Sequence, residues 1–158
     1  MSDKLENTLY MDLEDGRVEI TLRPDLAPQH VSRIKELVRE GHYKGLTFHR
    51  VIPGFMAQAG CPDGDGTGGT GQKIQAEFTD TPYDRGTVGM ARTMDPNSGD
   101  CQFFITFGPT PHLDGQYTVW AEVSEGMDLV DRINEGEPPA EPTVIKDMSV
   151  AADVADAA

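Results

Sequence analysis

Arg50 stands in the run Phe48-His49-Arg50-Val51-Ile52-Pro53-Gly54-Phe55-Met56-Ala57-Gln58, among aromatic and apolar neighbours. A guanidinium keeps its charge at any ordinary pH and presents its donors in a flat, fixed fork. Phe55, Met56, Phe104 and Leu113 fall near turns or strand ends, where they can line an exposed apolar pocket. Gln58 and Gln102 fall on predicted strands and carry tips that hydrogen-bond an extended peptide. The chemistry open to such a set is a directed positive donor beside an apolar grip. Taken singly, each of these residues also reads as ordinary core or surface.

Other patterns carry less. Gly64-Asp65-Gly66-Thr67-Gly68-Gly69 fits G-x-G-x-x-G, but Gly71-Gln72-Lys73-Ile74-Gln75 follows and opens no helix. The strand-to-helix context that gives the pattern its phosphate-binding meaning is missing, and no G-K-[ST] occurs. Asp63 and Asp65 begin like a calcium loop, yet the twelfth position is Ile74, which offers no bidentate carboxylate. His30, His42, His49 and His112 lack the H-x-x-x-H or H-E-x-x-H spacing of a metal site. His49 alternates with Arg50 along a strand, so the two should face opposite ways, and His49 reads as structural. No G-x-S-x-G is present, and Cys101 has no recognisable partner histidine. A small buried residue on a strand suits Cys101 better.

The elements that must position Arg50 and its companions are mostly strands. Thr8 to Leu13 and Val18 to Leu22 alternate around Glu14-Asp15-Gly16, a hairpin signal. Pro28 to Glu40 reads as a helix, with Pro28 in its first turn, Gly41 at its end, and Val31, Ile34, Leu37 and Val38 on one face. Strands follow over 46–51, 55–59 and 88–92. Gln102 to Phe107 is an apolar strand expected to be buried on both faces. Tyr117 to Val123 is another, Met127 to Ile133 a second short helix, and Thr143 to Val150 the last strand. Ala151 to Ala158 reads as a frayed acidic tail. No repeat or linker interrupts 1–158, so one domain is expected. About eight alternating strands joined mainly by hairpin-like turns predict a mainly β fold with an antiparallel sheet. Closing that sheet into an eight-stranded barrel, with two α-helices over its open ends, would remove its edges.

Composition narrows the function classes. The chain has 158 residues, enough for a real core without staples, and 37% of them are hydrophobic. Thirteen Lys and Arg against 27 Asp and Glu give a formal charge of −14, a field that repels phosphate backbones, so nucleic acid is excluded as a partner class. No apolar run approaches the length of a membrane span, so no membrane partner is expected. The opening Met1-Ser2-Asp3-Lys4-Leu5-Glu6-Asn7 lacks the apolar stretch of an export signal, which makes the cytoplasm the default. Cys61 and Cys101 form no C-x-x-C pair and read as two free thiols in a reducing compartment.

Phe48 to Gly60 is similar to the hallmark segment of the cyclophilins. Gly66-Thr67-Gly68-Gly69 resembles their next loop. Gly89-Met90-Ala91-Arg92-Thr93, Asp95-Pro96-Asn97-Ser98 and Gln102-Phe103-Phe104-Ile105 resemble their second active-site segment. Leu113 to Trp120 resembles the third, and Gly126 to Val130 the second helix. The segments occur in family order over nearly the whole chain. The resemblance implies an eight-stranded antiparallel barrel with an active groove on its outer face. It makes Arg50 the catalytic residue and Phe55, Met56, Phe104 and Leu113 the proline pocket. Gln58 and Gln102 would hold the peptide, with Ala91, Arg92 and Tyr117 beside the pocket. Eukaryotic-type members carry Trp where this chain has His112, and that Trp helps bind cyclosporin, so weak cyclosporin binding is implied. Tyr117 replaces a His of those members, as it often does in bacterial ones. A bacterial-type cytoplasmic member, working as a monomer, is the better likeness.

The activity implied is peptidyl-prolyl cis-trans isomerisation, on proline-containing peptides and on unfolded or folding proteins. An Xaa-Pro bond must cross a barrier of roughly 18–20 kcal/mol set by amide resonance. Rotation makes and breaks no bond to the chain, so no nucleophile, metal or cofactor is required. Twisting deconjugates the prolyl nitrogen, whose lone pair then accepts a hydrogen bond. A donor at Arg50 would favour that twisted state over either planar one. Two rival readings use the same sequence. One is a proline-peptide binding module or chaperone with the same groove. The other is a small-molecule carrier, which would need a hollow barrel in place of one filled by Phe103, Ile105, Val119 and Trp120.

Overall fold

Thr8–Leu13 (β1) and Gly16–Leu22 (β2) form the expected hairpin, with Leu9, Met11, Leu13, Val18, Ile20 and Leu22 buried along alternate positions. The computed structural model describes residues 5–64, 68–137 and 139–155. Asp65, Gly66 and Thr67 of the Gly-rich loop, the first four residues and 156–158 lie outside them. Further along come Phe48–Ile52 (β3), Met56–Ala59 (β4), Thr87–Met90 (β5), Phe103–Thr106 (β6), Val119–Glu125 (β7) and Asp147–Val150 (β8). The sheet runs β3-β4-β6-β5-β7-β2-β1-β8, and every pairing is antiparallel.

The expectation of a closed barrel is corrected. The ladder ends at β3 on one side and at β8 on the other, so the sheet is a curled half-barrel. Just before β8, Thr143 to Ile145 does not extend the strand as its sequence suggested, while Lys146 N–H still donates to the Asp12 carbonyl of β1 at 2.8 Å. Thr143 and Ile145 bond across to the 45–48 segment that leads into β3: Gly45 N–H donates to the Ile145 carbonyl at 2.7 Å, Ile145 N–H to Leu46 at 2.7 Å, and Phe48 N–H to Thr143 at 3.0 Å. These bonds join the two edges only at one isolated bridge, Thr47 to Val144, and not along a continuous ladder.

Pro28–Arg39 (α1) buries His30, Val31, Ile34, Leu37 and Val38 against β7 and β8. Met127–Val130 (α2) is a single turn started by Gly126 at φ 91°. Pro111–Leu113 forms one 3-10 turn. The frayed tail is also corrected in its first part. Ala151–Ala155 is a helix (α3), with Ala151 buried and Asp153 accepting from Arg39 Nε at 2.9 Å.

Two apolar clusters result. The larger fills the concave side of the sheet. Phe103 packs its ring 6.0 Å from Trp120, 6.4 Å from Phe48 and 5.6 Å from Tyr43, all edge to face. Phe103, Ile105 and Trp120 are fully buried there, as a filled interior requires. Val119 is not among them: it belongs to the smaller cluster, with Met56, Tyr83, Phe104 and Leu113, on the other face.

His30 gives the fold a pH dependence. It is buried at the start of α1, and its Nδ1 lies 2.7 Å from Glu77 Oε1, which also accepts the His30 backbone N–H at 2.9 Å. Burial lowers the imidazole pKa below its usual 6.5, and the Glu77 carboxylate offsets only part of this. The folded state therefore binds this proton less tightly than the unfolded chain. The contribution is complete above about pH 6.5 and is lost as pH falls below it, toward the folded pKa. The thermal midpoint of the protein should drop between pH 7 and pH 5. His30→Asn, which keeps an amide N–H near the Nδ1 position, should flatten that drop. Equal pH slopes for the two proteins would exclude His30 as the cause.

Candidate active site

The register places the key residues in one transverse row. Arg50 on β3 stands opposite Gln58 on β4, Gln58 opposite Phe104 on β6, Phe104 opposite Gly89 on β5, and Gly89 opposite Val119 on β7. Residues directly opposite in a ladder share a face. This row lies on the convex face, while the next row, Val51-Ala57-Ile105-Val88-Ala121, turns into the core.

Simple alternation does not explain how Arg50 reaches this face. Phe48 and His49 are both buried and Arg50 is exposed, because the β3–β4 register shifts between Phe48 and Arg50. A bulge re-aims the strand at that point. His49 and Arg50 do face different surroundings, as expected, but the bulge is what sends Phe48 inward and Arg50 outward.

A cavity of about 120 Å³ is lined by Arg50, Phe55, Met56, Gln58, Ala91, Arg92, Phe104, Leu113 and Tyr117. The remaining predicted residue, Gln102, lines the adjoining depression of about 390 Å³ together with Gln58, Ala91 and Arg92. Gln58 Nε2 donates to Gln102 Oε1 at 3.0 Å, and Gln102 Nε2 to the Gly68 carbonyl at 2.9 Å. The two amides are therefore fixed in a chain. The floor of the cavity is the smaller cluster: Phe104 stacks on Tyr83 at 5.5 Å and meets Tyr117 edge-on at 5.6 Å. On the rim, Phe55 lies 5.3 Å from His112.

The two arginines differ. Arg92 is committed to backbone carbonyls. Its Nε and Nη2 donate to Gln116 at 2.9 and 2.7 Å, its Nη1 donates to Thr93 at 2.9 Å, and its guanidinium lies over Tyr117 at 4.6 Å. It braces the Gln116–Tyr117 wall. The Arg50 side chain is about half exposed and makes one ion pair, Nε to Glu137 Oε1 at 3.1 Å. Cys101 is no nucleophile candidate: burial pushes its thiol pKa up to about 12, and it and Cys61 are buried and outside any disulfide. Among the described residues, no three His, Cys, Asp or Glu side chains cluster to hold a metal ion.

Sequence reading missed three residues here. Tyr83 comes from a long segment without periodicity, yet its ring supports Phe104 and its hydroxyl donates to the Tyr117 carbonyl at 2.9 Å. Gly89 is a bare position under Phe104. Glu137 sits in a Pro- and Glu-rich stretch that reads as loop. Only Gly89, an isolated glycine inside a strand pattern, carried a usable signal of close approach.

Known proteins share the sequence pattern and the fold. Residues 8–150 match the family described as cyclophilin type peptidyl-prolyl cis-trans isomerase/CLD. A probable peptidyl-prolyl cis-trans isomerase of Brucella suis is 54% identical over 143 residues, covering 83% of this chain and 73% of that protein. Peptidyl-prolyl cis-trans isomerase B of Bacillus subtilis is 44% identical over 133 residues, covering 82% and 92%. A cyclophilin crystal structure from Hirschia baltica superposes with a TM-score of 0.87 at 29% identity, over 94% of this chain and 75% of that one. A cyclophilin-type isomerase of Cryptosporidium parvum, crystallised in the presence of the dipeptide Ala-Pro, gives 0.83 at 28% identity, over 90% and 98%.

Proposed function

The chain belongs to the cyclophilin-type peptidyl-prolyl cis-trans isomerases, and from that premise we propose that Arg50 drives the rotation while Phe55, Met56, Phe104 and Leu113 grip the proline ring. The observation that carries this reading is the single small cavity in which Arg50 faces those apolar side chains. Gln58 and Gln102, already linked to each other, hold the peptide backbone beside Arg50. Ala91, Arg92 and Tyr117 complete the wall. Catalysis rests on differential binding. The pocket holds the ring in both planar states, and the guanidinium adds a hydrogen bond only when the prolyl nitrogen pyramidalises. Turnover of an Xaa-Pro peptide in a protease-coupled assay, compared with Arg50→Ala, tests the assignment.

The finer parts of the reading are proposals of the same kind. Residues 1–158 act as one isomerase domain. The clients are unfolded or folding proteins that present proline, as the dipeptide used with the Cryptosporidium relative suggests. Two buried cysteines outside any disulfide suit a reducing compartment such as the cytoplasm. The exposed large apolar residues, Phe78, Met94 and Val144 among those described, are scattered singly and suit a monomer.

Cyclosporin should bind weakly, because the exposed His112 offers Phe55 a smaller ring than Trp would. His112→Trp should tighten inhibition of turnover by cyclosporin about tenfold, the size of one added aromatic contact. An unchanged inhibition constant would remove His112 from the account.

A further inference from the structure

We infer that Glu137 is a positioning residue for Arg50, holding the guanidinium ready in the unliganded groove. The inference rests on the reading of Arg50 as catalytic. It begins with the backbone. Val51 N–H donates to the Gly136 carbonyl at 2.8 Å, and Gly136 N–H returns the bond to Val51 at 3.0 Å. This reciprocal pair is antiparallel and lies on the edge of β3 that no strand covers. One step along an antiparallel pair, Arg50 comes opposite Glu137, in the closer spacing of the two that alternate. The pair sits on the outer face, because Val51 and Gly136 take the inner one. Gly136 also bridges to Pro139, which is buried.

The side chains then meet where the backbone puts them. Glu137 Oε1 accepts from Arg50 Nε at 3.1 Å. Among the described residues no other group accepts from Arg50, and Glu137 pairs with no other cation. The transverse row thus gains a sixth member and reads Glu137-Arg50-Gln58-Phe104-Gly89-Val119. Both side chains are about half exposed, so the pair adds little to global stability. Its consequence is orientation. A carboxylate fixing Nε restricts the long side chain and leaves the two terminal nitrogens as the donors available to substrate.

Three variants test this: Glu137→Ala, Glu137→Gln and the double variant with Arg50→Ala. Glu137→Ala should lower kcat about three- to tenfold, the scale of one charge-assisted bond at a partly exposed site, with KM for the peptide nearly unchanged. Glu137→Gln keeps an acceptor oxygen at the same reach and should recover most of that loss. In 15N-resolved spectra of the free protein, the Arg50 Nε–H resonance should move in Glu137→Ala and stay close to its position in Glu137→Gln. Adding Glu137→Ala to Arg50→Ala should cause no further loss. Wild-type or raised kcat in Glu137→Ala overturns the inference, as does an equal loss in the double-variant comparison. If Arg50→Ala itself turns over normally, the reading of Arg50 has failed, which is a separate result.

Discussion

Arg50→Ala should lose about 10²–10³-fold in kcat/KM on an Xaa-Pro peptide, the loss seen when one transition-state donor is removed from a catalytic site. The thermal midpoint should barely move. Arg50 is exposed, its one ion pair is exposed, and substitutions of that kind stay within about 0.5 kcal/mol. The size follows from the reaction. Nothing is bonded or cleaved, so the enzyme lowers a rotational barrier only by preferring the twisted amide. A thousandfold acceleration needs about 4 kcal/mol. The cavity has one permanently charged donor facing its apolar wall without prior commitment to carbonyls, since Arg92 is spent on Gln116 and Thr93. Arg50→Lys should recover little, because a point charge on a flexible stem does not reproduce the fork. The same assay separates the enzyme from a pure binding module. If Arg50→Ala retains wild-type turnover, another group carries the rotation. If it loses turnover but still binds proline peptide, with a dissociation constant near that of wild type, the donor acts in the transition state as proposed.

How much of this was legible in sequence depends on how local each feature is. Phe48 to Gln58 brings catalytic donor, pocket residues and peptide-holding amide within eleven positions, so a linear reading finds them together. Phe104 and Gln102 are found because a strand of Phe103, Phe104 and Ile105 stands out. What sequence could not supply is register. That Arg50, Gln58, Phe104 and Gly89 form a row depends on pairings between strands up to about fifty residues apart, and the bulge between Phe48 and Arg50 buries two consecutive residues before Arg50 turns outward. The closed barrel failed for a related reason. Thr143 to Val150 alternates like one strand, yet Thr143 and Ile145 bond to the 45–48 segment and only Asp147–Val150 forms the strand β8. Tyr83 and Glu137 come from segments with no periodic pattern, where position is set wholly by the contacts made with distant chain.

Gly89→Ala should be the most damaging single change that leaves every named pocket residue in place. Gly89 is not at a positive φ, so the backbone there would accept a side chain. The obstacle is space. A Cβ at this position would lie 2.8 Å from Phe104 Cζ and closer still to the Tyr83 hydroxyl, both well inside contact distance. Neither neighbour is free to yield. Tyr83 is buried, stacked on Phe104 and bonded through its hydroxyl to the Tyr117 carbonyl, and burial holds its phenol neutral well above the usual range. Phe104 has Gly89 behind it, Tyr83 along its face and Tyr117 at its edge, so the open direction is outward, into the proline cavity. An overpacked site of this kind costs about 1–3 kcal/mol of stability. Catalysis should suffer more, because a displaced Phe104 ring occupies space meant for proline. A rise in KM, with kcat/KM down at least about tenfold, follows from misplacing a substrate-positioning group by even an ångström. Calorimetry and peptide turnover on the same sample check both halves. Phe104→Leu in the Gly89→Ala background relieves only the contact with that ring and leaves the one with the Tyr83 hydroxyl, so it should return part of the stability while leaving the pocket looser. If Gly89→Ala is as stable and active as wild type, the bare position under Phe104 is not what shapes the pocket.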